Sequence, residues 1–474
     1  MSRSFLFGLT VQLIWILPGT SAREKYVLPL DASQRKKNEE ADRAWLIESY
    51  VKPYEKQGVK NASWDGDVKK VSDGFVEYML SNQMTPYLPR ATQDAAARAR
   101  KSGCQDILVR YAALRSMDQA NLANPQGLLN LFLQVGKDVP KSYYPSAVKL
   151  EMEVFLGVTP AQNSAAWKEA EKAEIRKILM QALDLLVESS LKDAPTPLME
   201  YRWHYACSEL INGFKNLGDR SEKAWETVDA ALAKCNKFET KRIRTKGSWM
   251  VQYAWEARGY GTIDKTTEEG LKKFTERLNQ AKELLETAWK LEPSPIIAEA
   301  RMRVELGIGK GDRKSIETWF RRSIGNRNYD RNSIGIMREW LSPKWYGDEG
   351  SLWEFLEACR DCGNNRDVIS VQYLDEKYVE ALRLPKEAKL EHFKDPKFFQ
   401  EMSKVFAAYL AVNPDDNYYR GRYAVFSYYC GQYAEALKQF ELIGEDMVES
   451  KHAEINRQIF LKEDLLKNRV PKSK

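Results

Sequence analysis

Along the middle of this chain, apolar residues recur in a small, large, small register, four and then three residues apart. Ala281, Leu285 and Ala288 are followed by Ile316, Phe320 and Ser323, and these by Ser351, Phe355 and Ala358, at an interval of 35 residues. Ala224, Val228 and Ala231 form an earlier copy, and the stretch around Ala436 and Phe440 a later one. Positions i, i+4 and i+7 share one face of a helix. Small outer members let a neighbouring helix approach, while the large middle member fills its groove. One helix pair cannot bury both of its faces alone, so a fixed period of this length predicts helix pairs that stack on one another.

The flanking pattern is helical too. An amphipathic helix is predicted around Ala44 to Ile47, ended by Pro53 and Gly58, and residues 68–156 read as short helices broken by Pro86, Pro89, Gly103, Pro125 and Pro145. Two longer helices are predicted over 165–191 and 199–213, closed by a turn at Leu217-Gly218-Asp219-Arg220. No sustained alternation of apolar and polar residues suggests a strand.

The register, with Gly311 and Gly431 each five residues ahead of a copy and Pro293 five residues after one, resembles the tetratricopeptide repeat family. Gly431-Gln-Tyr433-Ala-Glu-Ala436-Leu-Lys-Gln-Phe440 looks like the second helix of such a repeat. The resemblance covers 198–362 and 400–447; Val304 and Ala424 stand where the family places a glycine, and residues 262–274 read as an insertion. It implies a concave surface formed mainly by the first helix of each pair, which here would include Arg301, Glu305, Tyr418, Val425 and Tyr429. Gly103-Cys104-Gln105-Asp106 and Leu341-Ser-Pro343-Lys-Trp345-Tyr-Gly347 also resemble segments of exported bacterial helical-repeat proteins of unknown function, a likeness that implies no activity.

The beginning of the chain changes the picture of where it works. Arg3 precedes an apolar run from Phe5 to Leu17, a Pro-Gly break follows, and Thr20 and Ala22 supply small residues at −3 and −1 of a cleavage site, so residues 1–22 read as a secretory signal. The run is shorter than the ~20 residues a membrane span needs. The expectation is an exported chain, periplasmic or secreted, without a transmembrane segment after cleavage near Ala22. The net charge of +6 comes from 73 basic and 67 acidic residues interspersed along the chain, which offers no concentrated footprint for nucleic acid.

Candidate chemistry adds little. Cys359-Arg-Asp-Cys362 has the spacing of a redox pair or half a zinc site, but it closes a helix, where the dipole opposes a thiolate. Structural cysteines are expected there, with the pairing of the six cysteines left open. His204, His392 and His452 stand apart from one another, and His204 reads as a packed core residue. Gly307-Ile-Gly309-Lys-Gly311 reads as a helix-to-helix turn, and Asp65-Gly-Asp67 and Asp415-Asp416 as turn formers or helix caps. Asn61-Ala-Ser63 is a formal glycosylation acceptor. Most of the 13 Trp and 23 Tyr fall at core spacing.

The expectation is therefore all-α, a tetratricopeptide-like α-solenoid of stacked antiparallel helix pairs. The chain divides into a signal (1–22), an N-terminal helical region (23–197), repeats (198–363), a connecting segment (364–399), a C-terminal helix pair (400–463) and a basic tail (464–474). The expected function is non-catalytic binding of a protein or peptide partner outside the cytoplasm, with no catalytic, metal or cofactor residues and no cofactor. The competing readings are a polysaccharide-acting enzyme on helices closed into a toroid, and a structural envelope component. A concave face filled by the chain's own terminus would remove the binding reading.

Overall fold

The computed structural model describes residues 28, 32–80, 88–116, 124–192, 196–234, 238–259, 261, 265–308, 312–324, 331–363, 369–444 and 453–469. The candidate signal, Cys235, Gly309 to Gly311 and His452 lie outside them. The chain is all-α, with no strand among the described residues. Its first half runs α1 (Ala32–Leu46), α2 (Lys52–Gln57), α3 (Asp65–Leu80), α4 (Arg90–Lys101), α5 (Ile107–Arg115), α6 (Pro125–Asp138), α7 (Ser146–Ala161), α8 (Glu169–Lys192), α9 (Pro197–Asn216), α10 (Ser221–Leu232) and α11 (Glu239–Arg258). The second half runs α12 (Glu268–Leu291), α13 (Pro295–Ile308), α14 (Arg313–Ser323), α15 (Arg331–Leu341), α16 (Glu349–Asp361), α17 (Val371–Arg383), α18 (Lys386–Lys394), α19 (Pro396–Val412), α20 (Asn417–Tyr429), α21 (Tyr433–Ile443) and α22 (Ala453–Asp464).

The register residues fall on α10, α12, α14, α16 and α21, and every one of them is buried. Helices pack on their neighbours in sequence and often on the next but one, as α11 does on α12 and α13, and α13 on α14 and α15. One close approach is at Gly247 of α11. A Cβ there would lie 2.7 Å from Cγ of Leu285, so the large register residue of α12 rests against bare backbone. The predicted turns close where glycine adopts a positive φ, +102° at Gly218 after α9 and +72° at Gly431 after α20.

Polar residues start the helices. Thr196, Thr267, Asp312, Asp348, Asp395 and Asp416 each accept a backbone N–H in the first turn of the helix they precede. Asp416 also accepts a hydrogen bond from the Tyr409 hydroxyl, and Asp65 accepts from the Asn61 backbone, so these acids serve the turns.

Some expectations are corrected. Pro53 does not end the first helix: residues Ile47–Val51 wind as a π-turn, and Pro53 sits in the first turn of α2, where its missing N–H costs nothing. The stretch read as a connection carries α17 and α18, because Tyr373, Leu374, Ala381 and Phe393 bury apolar surface in the neighbouring core. Two tertiary closures have no sequence signal. Asp42 of α1 accepts from the backbone N of Leu198 at 3.0 Å, tying α1 to the start of α9. Leu28, only 7% exposed, belongs to the apolar cluster of α13 to α20 instead of the cluster of the helices that follow it.

Candidate functional site

The five residues expected on a recognition surface separate into two groups. Arg301 and Glu305 lie one turn apart on α13, which packs on α11, α12, α14 and α15. Arg301 is only 2% exposed, so it is not part of an open face. Its Nη2 donates to Glu305 at 2.8 Å and to Glu286 at 3.2 Å, and the guanidinium lies 4.9 Å from the Trp319 ring. An arginine can be buried at this spacing when an aromatic face receives its plane and carboxylates neutralise it. The pair with Glu305, half-buried, is thereby internal cross-bracing between α12, α13 and α14.

The second group lies on α20, which packs on α19, α21 and α22. Val425, 1% exposed, is likewise removed from a contact surface. It lines a nearly filled cleft of about 10 Å³ with Tyr378, Phe406 and Arg422. Tyr429 is half-buried, its ring 5.5 Å from that of Phe393 on α18. Tyr418 is the outlying case at 41% exposed, standing in the first turn of α20.

Around Tyr418 the structure assembles residues that the pattern of the sequence did not connect. The Arg422 guanidinium lies 4.9 Å from the Tyr418 ring and 5.9 Å from that of Tyr378 on α17. Arg422 also donates to Asp375 of α17, whose other oxygen accepts from the Tyr419 hydroxyl at 3.2 Å. Burial pushes the Asp375 carboxyl above the ordinary carboxylate range, while the Arg422 charge and the Tyr419 hydrogen bond pull it back. The result is a surface of tyrosine and arginine, pinned from beneath by an ion pair. Reading 364–399 as a connection hid the α17 half of it; the helical spacing of Val371, Leu374 and Tyr378, three and then four residues apart, was the available clue.

Elsewhere the chemistry is quiet. Cys359 is a buried free thiol whose pKa burial raises well above the usual value, the reverse of an activated redox cysteine. Cys362 beside it is half-buried. Among the described residues no group of His, Cys, Asp and Glu is placed to hold a metal ion, and no helix is long and apolar enough to cross a membrane. His204 is half-buried rather than in the core, and His392 lies 4.1 Å from the Phe398 ring. No known protein family, no curated protein and no solved structure matches this chain.

Proposed function

We propose that this chain is a non-catalytic, exported, tetratricopeptide-like helical array that binds a protein or peptide partner, and that Tyr418, Arg422 and Tyr378 form the centre of the contact. The observation that carries the reading is the exposure of Tyr418 beside an arginine already held in place by Asp375. Tyrosine and arginine are the side chains that dominate interface energetics. An arginine whose position is fixed in advance loses less entropy on binding. Export is supported by the first 22 residues, which have the order of a secretory signal.

The test is capture of partners from the native exported fraction by the mature chain, compared with Tyr418→Ala and Arg422→Glu. Loss of a specific captured species in both variants, with α-helical content unchanged, supports the reading. Capture that is the same for all three proteins removes this face from consideration.

A further inference from the structure

The segment Gly103-Cys104-Gln105-Asp106, which joins α4 to α5, forms one wall of a cleft of about 400 Å³. This lies within the ~300–1,000 Å³ typical of small-ligand sites. The cleft is built by four separate pieces of chain: Tyr54 on α2, Trp64 before α3, the 103–107 turn between α4 and α5, and Asp138 to Tyr143 at the α6–α7 junction. Its walls have two chemistries.

Aromatic rings form the first. Trp64 and Tyr143 are half-buried, leaving part of each ring accessible in the cleft, with Tyr54 behind them. Trp64 is held by its indole N–H, which donates to the Val59 carbonyl at 3.3 Å. Tyr143 is held by stacking on Tyr144 at 4.8 Å and by donating to Asp106. Gly103, at φ +96°, brings only backbone to the Trp64 ring; a Cβ there would lie 3.9 Å from it.

Polar groups form the second chemistry, and their charges are already balanced. Asp106 accepts from both tyrosine hydroxyls and from the Leu108 backbone, and Asp138 pairs with Arg110 at 2.9 Å, with Lys141 4.0 Å away. Arg110 makes that single bond through Nη1, so its other N–H groups have no partner among the described residues, and exposed Gln105 uses its amide nitrogen on Gly103 and keeps its amide oxygen. The two acids in the wall disfavour an anion. An organic cation is disfavoured by Arg110 and Lys141 in the wall, and by Lys60, whose ammonium already sits 3.8 Å over Tyr54. The remaining fit is an uncharged molecule with an apolar face for the rings and an edge of groups that both donate and accept. That is the chemistry of a pyranose ring, with C–H groups on its faces and hydroxyls around its rim.

We infer that the Trp64–Asp106–Tyr143 cleft is a binding site for an uncharged saccharide. Trp64 and Tyr143 receive the sugar's faces, and Arg110, Gln105 and the free edge of Asp138 hydrogen-bond its hydroxyls. No bond is made or broken. The site is independent of the Tyr418 surface.

The test is isothermal titration of the mature chain with cellotetraose, chitotetraose, maltotetraose and xylotetraose, repeated on Trp64→Ala, Gln105→Ala and Tyr418→Ala, each checked for helical content. Saturable binding of at least one saccharide is expected. It should weaken about tenfold in Trp64→Ala, from loss of a stacking face, and about threefold in Gln105→Ala, from loss of a hydrogen bond, and stay unchanged in Tyr418→Ala. Gln105 is exposed, so its variant keeps the test decisive if Trp64→Ala does not fold. The inference is overturned if no saccharide saturates the wild type at millimolar concentration, or if binding is indifferent to both cleft variants. Tighter binding of tetramethylammonium or inorganic phosphate at the same residues overturns it as well.

Discussion

Glu153 offers the sharpest test of how this fold is held together. It lies on α7, wholly buried, and neither carboxyl oxygen has a hydrogen-bond partner among the described residues. Its surroundings are the packed faces of α6 and α8: a Cβ added to Gly136 would stand 2.6 Å from Ile178 and 3.6 Å from the Glu153 carboxyl. Burial is the sole cause that pushes its pKa up, from 4.5 to about 9. At neutral pH the native state therefore holds a proton here that the unfolded chain has released.

The sign follows from that difference. Because the folded pKa is raised, the native state is favoured most below the unfolded value of 4.5, and stability is lost as pH rises from there to about 9. The slope is about 1.4 kcal/mol per pH unit, so the full loss has a ceiling on the order of 6 kcal/mol, with about 3 kcal/mol of it reached at pH 7. Glu153→Gln keeps the shape and removes the titration, so its stability relative to wild type should grow steadily from pH 5 to pH 9. Glu153→Met, which also removes the unpaired polar atoms, should be more stable than wild type throughout. A chain of this length need not unfold in one step, so amide hydrogen exchange in α6, α7 and α8 is the measurement, corrected for the intrinsic pH dependence of exchange. Parallel stability profiles for wild type and Glu153→Gln across that range would refute the reasoning, since Glu153 would then ionise without penalty.

Three further outcomes follow from the packing. Gly247→Val forces two carbons more into a gap where the first already meets Leu285 at 2.7 Å, so it should destabilise α11 and α12 by about 1–3 kcal/mol, measured by the midpoint of thermal unfolding; an unchanged midpoint would show that the two helices can move apart. Arg301→Met and Arg301→Ala both take the guanidinium from Trp319 and leave Glu286 and Glu305 without their cation, so each should cost about 3 kcal/mol, Arg301→Ala the more because it also opens a cavity; a wild-type midpoint for either variant in urea unfolding would contradict the bracing role. Leu28→Ala should cost about 2 kcal/mol and accelerate amide exchange in α13 to α20 while sparing α3 to α6; the reverse distribution would place Leu28 in the wrong core.

What was readable in the sequence divides along a physical line. The register residues, such as Ala281, Leu285 and Ala288, could be recognised because each copy needs the same solution to the same local problem, and a repeated need leaves a repeated spacing. The turns at Gly218 and Gly431 were readable for a similar reason, since the left-handed backbone there favours one residue type. Arg301 could not be placed this way. Its burial depends on Glu286 and Trp319, which lie on two other helices, and a charged residue at a groove position reads as exposed until those partners are known. The same holds for Leu28 and for the bond from Leu198 to Asp42, single contacts that join distant parts of the chain and leave no period.

This division bears directly on the search for function. Residues that repeat are occupied with stacking, so a recognition surface must be sought where the pattern fails. Tyr418 and Arg422 of α20 meet Tyr378 of α17, which lies in the stretch read as a connection. Trp64, Gln105 and Tyr143 meet between short helices that precede the repeats. Of the five positions taken from the repeat register, the two that proved most buried, Arg301 and Val425, have the character of packing residues. Tyr418 differs because its α20 turn projects it outward while Asp375 holds Arg422 beneath it. Exposure beside a fixed neighbour, and not position within the register, is therefore what sets Tyr418 apart from the other four positions.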